Sequence, residues 1–220
     1  MGMFSVLKTT FDAILDAILP LKARTARTKD RTLADIPLTP QTHDLLGVRI
    51  TTLMDYRGPA VEDLIRSLKY DGSGHAARLA ASVLTDYLRE EIASSRTFSA
   101  RKVLIVPVPL HKARSRERGW NQIELVLRAL PEEFRGGELA TLAPEVLARM
   151  RATKPQTRLP RSERLSNVAG AFVCTNESLV RDANILLIDD VTTTGATLAN
   201  AATPLRRAGA NVTLLALARA

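Results

Sequence analysis

The chain is poor in cysteine. Cys174 is the only one among 220 residues, so no internal disulfide and no Cys-based zinc site can form. That usage fits a reducing cytoplasm, where the protein is expected. Aromatic residues are also scarce, at 4%, which gives little support to a stacking platform for single-stranded nucleic acid. No apolar run approaches the roughly 20 residues that would span a membrane. Within Met1–Pro20, Leu7, Phe11, Ile14, Leu15 and Ile18 stand at helical spacing, interrupted by Asp12 and Asp16. This pattern predicts an amphipathic docking helix, because a secretory leader needs a basic start and an unbroken apolar stretch.

What is abundant is small and branched apolar side chains and positive charge. Forty-five per cent of residues are hydrophobic, enough for one sizeable α/β domain with an appendage. The net charge is +8, and it is clustered. Residues 101–128 hold seven Lys/Arg against two Asp/Glu, residues 149–164 six against one, and residues 22–31 five against one. Such clusters suit nucleic acid or polyphosphate ligands, and equally a solvated surface.

Lys22–Thr42 is rich in Thr, Lys, Arg and Pro and reads as a linker. Val48–Leu53 predicts a short strand, and Val61–Lys69 and Ala76–Ile92 predict helices. Between those helices, Gly72-Ser-Gly74-His-Ala-Ala77 imitates a dinucleotide fingerprint. It follows a helix instead of a strand, so the phosphate-cradling geometry is missing. Lys102–Pro107 predicts a strong strand, stopped by Pro107-Val108-Pro109. A helix is expected from near Asn121 to Leu130, and Pro131–Thr141 as a loop. Val146–Met150 predicts a third strand or hairpin arm, and Ala171–Cys174 a return strand. A helix from about Gly195 to Ala208, kinked or cut short at Pro204, precedes a last strand at Val212–Ala218. Trp120 is expected in core or hinge packing.

The alternation of strands and helices from residue 101 onward predicts a parallel sheet with right-handed crossovers. In such sheets ligands sit at the C-terminal ends of strands. Two sharp motifs fall at strand C-termini and are therefore expected in one crevice. The first is Ile185–Thr197, Ile-Leu-Leu-Ile-Asp-Asp-Val-Thr-Thr-Thr-Gly-Ala-Thr. Four branched residues make a buried strand. Asp189 and Asp190 follow as acceptors for sugar hydroxyls or a Mg²⁺ ion shared with a polyphosphate. Val191, Thr192, Thr193, Thr194, Gly195, Ala196 and Thr197 then form a small-residue loop at a helix N-terminus, where backbone N–H groups and the helix dipole favour a phosphate. The plain alternative is a strand end followed by a solvated turn. A kinase-type P-loop is excluded, because no Lys follows Gly195.

The second motif is the turn Pro107, Val108, Pro109, Leu110 and His111, leading into Lys112, Arg114, Arg116 and Arg118. Arg is well shaped for bidentate binding of pyrophosphate oxygens; a solvated helix start is the alternative. His111 is a candidate acid or base, although a hydrogen-bonding turn residue reads as well. Thr153–Ser166 is polar, basic and expected to be mobile, either a lid over a departing anion or a plain loop.

The thirteen-residue string closely resembles the phosphoribosyl-pyrophosphate (PRPP) loop of type I phosphoribosyltransferases. Together with Val-Pro-Val-Pro-Leu-His-Lys, Arg-Glu-Arg-Gly-Trp-Asn-Gln, Arg-Ala-Thr-Lys-Pro-Gln and Arg-Ser-Glu-Arg-Leu-Ser-Asn-Val, it makes the chain resemble the ComF family over about residues 56–219. The resemblance implies a type I phosphoribosyltransferase-like α/β fold: a parallel sheet flanked by helices, with a small hood and a flexible basic loop. It divides the chain into residues 1–55, a helix and linker or hood segment, and residues 56–220, the phosphoribosyltransferase-like domain. Asp189 and Asp190 would hold the ribose hydroxyls, the following loop the 5′-phosphate, and Pro107–His111 with Arg114, Arg116 and Arg118 the pyrophosphate. Arg151, Thr153, Gln156, Arg161, Arg164 and Asn167 would belong to the flexible loop. Mg²⁺ is the implied cofactor, carried with PRPP.

The resemblance also implies a role in DNA uptake, as a transferase with an unknown acceptor or as a non-catalytic factor binding single-stranded DNA or a helicase. Two features depart from the family. Residues 1–55 lack the usual Cys-rich zinc segment, so no zinc is expected. Thr193 also stands where nucleobase-using relatives of the superfamily carry an acidic residue. A homodimer is compatible with the chain, through the basic loop or the N-terminal helix.

Overall fold

The computed structural model describes residues 23–98, 100–111, 118–150 and 170–220. Its centre is a six-stranded sheet. In chain order its strands are β1 (Gln41–Leu45), β2 (Val48–Asp55), β3 (Val103–Pro107), β4 (Thr141–Leu142), β7 (Asn184–Thr192) and β8 (Asn211–Arg219). Their spatial order is β1-β2-β8-β7-β3-β4. β1 and β2 form an antiparallel hairpin, and every other pairing is parallel. The remaining strands, β5 (Leu147–Arg149) and β6 (Phe172–Cys174), pair antiparallel as a separate ribbon. Among the described residues the α-helices are α1 (Ala23–Lys29), α2 (Pro59–Asp71), α3 (Gly74–Phe98), α4 (Gln122–Arg128), α5 (Glu177–Val180) and α6 (Ala196–Arg207).

Both faces of the sheet are covered, which explains why β3 and β7 read as continuous apolar runs. Strand side chains alternate between faces. Val103, Ile105, Leu186, Ile188, Leu215 and Leu217 pack in one core with α2, α3 and α4. Leu104, Val106, Ile185, Leu187, Leu214 and Ala216 pack in a second core with α6, β5 and β6.

Two expectations change. The stretch read as a linker contains α1, docked on α2 by paired charges. Arg24 bonds Asp71 through two nitrogens at 2.9 Å, and Asp63 accepts from Arg27 at 2.7 and 2.8 Å and from Arg31 at 3.1 Å. Local apolar periodicity does not encode such pairing, so the helix was invisible to it. Secondly, α6 is not cut short at Pro204 but continues to Arg207. The amide of Ala208 still donates to the Pro204 carbonyl at 3.1 Å.

The false dinucleotide fingerprint proves to be a helix–helix corner. Gly72 caps α2 in the left-handed conformation, φ 57°. A Cβ there would lie 3.0 Å from the Trp120 ring, and the Trp120 indole N–H donates to the Leu68 carbonyl at 2.9 Å. Trp120 is thus packing at a corner. Among the described residues no helix is long and apolar enough to cross a membrane.

Candidate functional site

The acidic pair lies within β7. The strand runs past Ile188 because β8 keeps pairing with it, from Asp189 opposite Ala216 to Thr192 opposite Arg219. Strand alternation separates the two carboxylates. Asp190 shares its face with Ile188, towards α2 and α4, while Asp189 shares its face with Leu187, towards α6 and the β5–β6 ribbon.

Asp190 is 5% exposed and well bonded within the protein. Its Oδ2 accepts from Gln122 Nε2 at 2.7 Å and pairs with Lys69 Nζ at 3.1 Å. Its Oδ1 accepts from the Val191 amide at 2.6 Å. Burial works against the Lys69 charge, but the attraction and hydrogen bond of Asp190, joined by the pull of Asp189 and Tyr56, outweigh it together and leave the Lys69 pKa above its ordinary value. Asp189 is half-buried, and its Oδ1 accepts from the Asp190 amide at 2.8 Å. Burial, reinforced by the neighbouring Asp190, pushes its carboxyl up to about 7, against the opposing pull of Lys69 and Arg149. Arg149 itself sits over the Phe172 ring, 5.2 Å from its centre.

Thr193–Gly195 connects β7 to α6, whose first residues are Ala196 and Thr197. Thr192, Thr194 and Ala196 are buried, and Thr193 and Thr197 are half-buried. Gly195 caps α6 at φ 79°, a conformation that favours glycine. A Cβ at Gly195 would stand 2.7 Å from Ile50 Cδ1 and 3.0 Å from Leu45 Cβ, so the β1–β2 hairpin presses on the loop. The Thr194 hydroxyl accepts from the Ala196 amide at 3.4 Å.

The Pro107–His111 bend lies on the same sheet edge. β3 and β7 are adjacent and parallel, with Pro107 opposite Ile188. The Val108 amide donates to the Ile188 carbonyl at 2.8 Å, and Asn121 Nδ2 holds the Val108 carbonyl at 3.1 Å. Pro107 and Val108 are buried; Pro109, Leu110 and His111 are half-buried. Val108 packs in the α6-side core, the side that Asp189 faces. The structure therefore brings the bend, Asp189 and the Thr/Gly loop to one strand-end edge.

No family model matches the chain. The protein is 31% identical over 201 residues to the DNA utilization protein YhgH of Escherichia coli O6:H1, covering 86% of this chain and 83% of that protein. It is 29% identical over 165 residues to competence protein ComFC of Streptococcus pneumoniae, covering 75% and 65%. It is also 33% identical over 104 residues to ComFC of Bacillus subtilis, covering 47% and 38%. The chain belongs to the ComF family.

Several residues that the ComF resemblance marks fall outside the described part: Lys112, Arg114, Arg116, Arg151, Thr153, Gln156, Arg161, Arg164 and Asn167. Arg118 is described. It contacts Gln122 Oε1 at 3.3 Å and lies 5.5 Å over the Tyr70 ring. Sequence reasoning missed Lys69, Gln122 and Arg149. One signal for Lys69 was available: it follows the buried Ile65 by four residues, so a lysine stands on the apolar stripe of α2. Gln122 carried no local signal, because its partner lies 68 residues away. Among the described residues no group of three or more His, Cys, Asp or Glu side chains is placed to hold a metal ion.

Proposed function

We propose that this ComF protein has a type I phosphoribosyltransferase-like fold and binds Mg·PRPP, with phosphoribosyl transfer to an acceptor as the reaction its site suits and DNA utilization or competence as its setting. One observation carries the reading: the Pro107–His111 bend and the Asp189–Thr197 segment meet at the ends of adjacent parallel strands, where α/β sheets bind ligands. The loop before α6 would take the 5′-phosphate on its amides and Thr hydroxyls. The acidic end of β7 would face the ribose as positive charge builds on the ring. The bend, with Arg114, Arg116 and Arg118, would meet the pyrophosphate, and Arg151, Arg161 and Arg164 would close over it. Mg²⁺ would arrive as part of the substrate, held chiefly by pyrophosphate oxygens. Such a reaction needs positioning and charge stabilisation, and no protein nucleophile. The names of the YhgH and ComFC relatives support the setting.

The test is calorimetric titration with Mg·PRPP of the wild type and of Asp189→Asn. Binding by the wild type and its loss in the variant are expected. Absence of heat in the wild type would overturn the reading. A second reading, a non-catalytic binder of single-stranded DNA, has one observation in its favour. Tyr70 is 52% exposed, with the guanidiniums of Arg24 and Arg118 at 5.3 and 5.5 Å from its ring, a surface on which a base could stack. DNA affinity that falls steeply with salt would support it.

A further inference from the structure

The loop before α6 is shaped from outside as well as from within. Within it, the Ala196 amide reaches the Thr194 hydroxyl at 3.4 Å, a long bond that gives little rigidity. From outside, the β1–β2 hairpin lies against it. A Cβ on Gly195 would stand 2.7 Å from Ile50 Cδ1, 3.0 Å from Leu45 Cβ and 3.5 Å from Leu45 Cδ1. The glycine backbone therefore rests on two apolar side chains, one from each hairpin strand. Ile50 is fully buried in the α6-side core, and Leu45 packs against that core.

The hairpin is itself fixed in two ways. Its turn is the two-residue link Leu46-Gly47, closed by the pairing of Leu45 with Val48. Both turn residues have positive φ, 56° and 73°. The tightest hairpin turns require this, and Asn or Gly usually supplies it. A leucine there is strained and persists where its surroundings hold it. The turn sets the register, and a slip of one residue would carry Leu45 to the other face. The second tie is the His43 ring. Its Nδ1 accepts from Arg219 Nη1 at 2.6 Å, so Nε2 carries the proton that meets Thr52 Oγ1 at 3.0 Å. Arg219 lies opposite Thr192 in the β7–β8 ladder, and the Ala220 amide donates to the Thr192 carbonyl at 3.0 Å. The hairpin is thus tied to the residue from which the loop departs and pressed on the glycine at which it ends.

We propose that the β1–β2 hairpin is a clamp for the loop before α6, with Leu45 and Ile50 as positioning residues for the phosphate group bound there. That a phosphate binds there rests on the proposed Mg·PRPP reading; the clamp rests on the packing. Amide donors serve an anion only when they are already held at hydrogen-bond distance, and a loop released from the hairpin would lose that arrangement.

A matched pair of deletions tests the clamp. Ile50→Val removes the carbon nearest Gly195. Ile185→Val removes the same carbon from the same core at the opposite end of β7. Both are expected to lower the melting temperature to a similar extent. Ile50→Val, and more strongly Leu45→Ala/Ile50→Val, should also speed hydrogen exchange at the Ala196 and Ala199 amides, which bond the Thr194 hydroxyl and the Gly195 carbonyl. The double variant should weaken Mg·PRPP by about fivefold or more in calorimetry. Ile185→Val should leave those two amides and the affinity as in wild type. His43→Leu, which cuts the tie to Arg219 and spares the apolar contact, should speed the same two amides. Equal exchange and equal affinity in the double variant and in Ile185→Val would overturn the clamp. So would faster loop exchange with wild-type affinity.

If the wild type gives no heat with Mg·PRPP, the ligand reading fails, and exchange alone decides the clamp. Ala196 and Ala199 amides as well protected in the double variant as in Ile185→Val would then sink it.

Discussion

The β7–β8 centre of the sheet and the α1–α2 contact are held by opposite chemistries. In the sheet centre, Ile185, Leu187, Leu214 and Ala216 are buried on one face, and Leu186, Ile188, Leu215 and Leu217 on the other. Apolar burial dominates there, at roughly 25 cal/mol per Å². Between α1 and α2 the contact is polar: Arg24 with Asp71, Arg27 and Arg31 with Asp63, and Thr25 and Thr28 with Ser67. The first chemistry is insensitive to salt and needs only the right side-chain period. The second depends on particular partners, 32 or more residues apart, and is screened by ions.

The largest break in this contrast is expected in the sheet. Leu187→Ala removes a fully buried side chain and should cost about 2–5 kcal/mol, read by denaturant unfolding, with the same loss at low and high salt. Next comes Gly195→Ala, at the junction of sheet and loop. It combines a left-handed φ with a Cβ 2.7 Å from Ile50 Cδ1 and should cost about 1–3 kcal/mol. A melting temperature equal to wild type would show that the β1–β2 hairpin yields without cost.

A smaller effect is expected at the charged contact. Asp71→Asn strips Arg24 of its two-pronged partner and should cost about 1 kcal/mol. Here the loss should shrink in high salt, unlike that of Leu187→Ala; an unchanged loss would show that packing, and not charge, docks α1.

The mildest test is a pH profile, in which two carboxylates slope in opposite directions. Hydrogen bonds from Arg27 hold the Asp63 carboxyl below its ordinary value, with Arg31 adding to the effect against burial. Its contribution is present above about pH 4 and is lost on further acidification. Asp189 is pushed up to about 7 by burial and its neighbour. Its contribution is present below about pH 4 and is lost as pH rises through about 7. Asp189→Asn should therefore flatten the neutral side of the stability profile and leave the acid side as it was. A wild-type slope retained between pH 5 and about 8 in that variant would show that another group titrates there.

Much of the fold was legible because its signals are local. The run Val103–Pro107 carries its own strand pattern and its own stop, and Asn121 caps α4 with its side chain on the Ile123 amide. The convergence of the bend with the acidic edge was legible too, since parallel sheets gather strand ends on one side. α1 was not, because its anchors are single long-range ion pairs. The length of β7 was not either. Asp189 and Asp190 do not look like strand residues until β8 is seen hydrogen-bonding beside them.

By itself, then, the order of residues determined which segments become buried strands, where proline ends β3, and that a left-handed position before α6 calls for glycine. These follow from steric and apolar preferences within a few residues of each site. Only the folded chain decided that Lys69 and Gln122 reach Asp190, and that neighbouring aspartates face different surroundings. That choice depends on which helices cover each face of the sheet, and a helix packed against a strand more than a hundred residues away leaves no trace in local spacing.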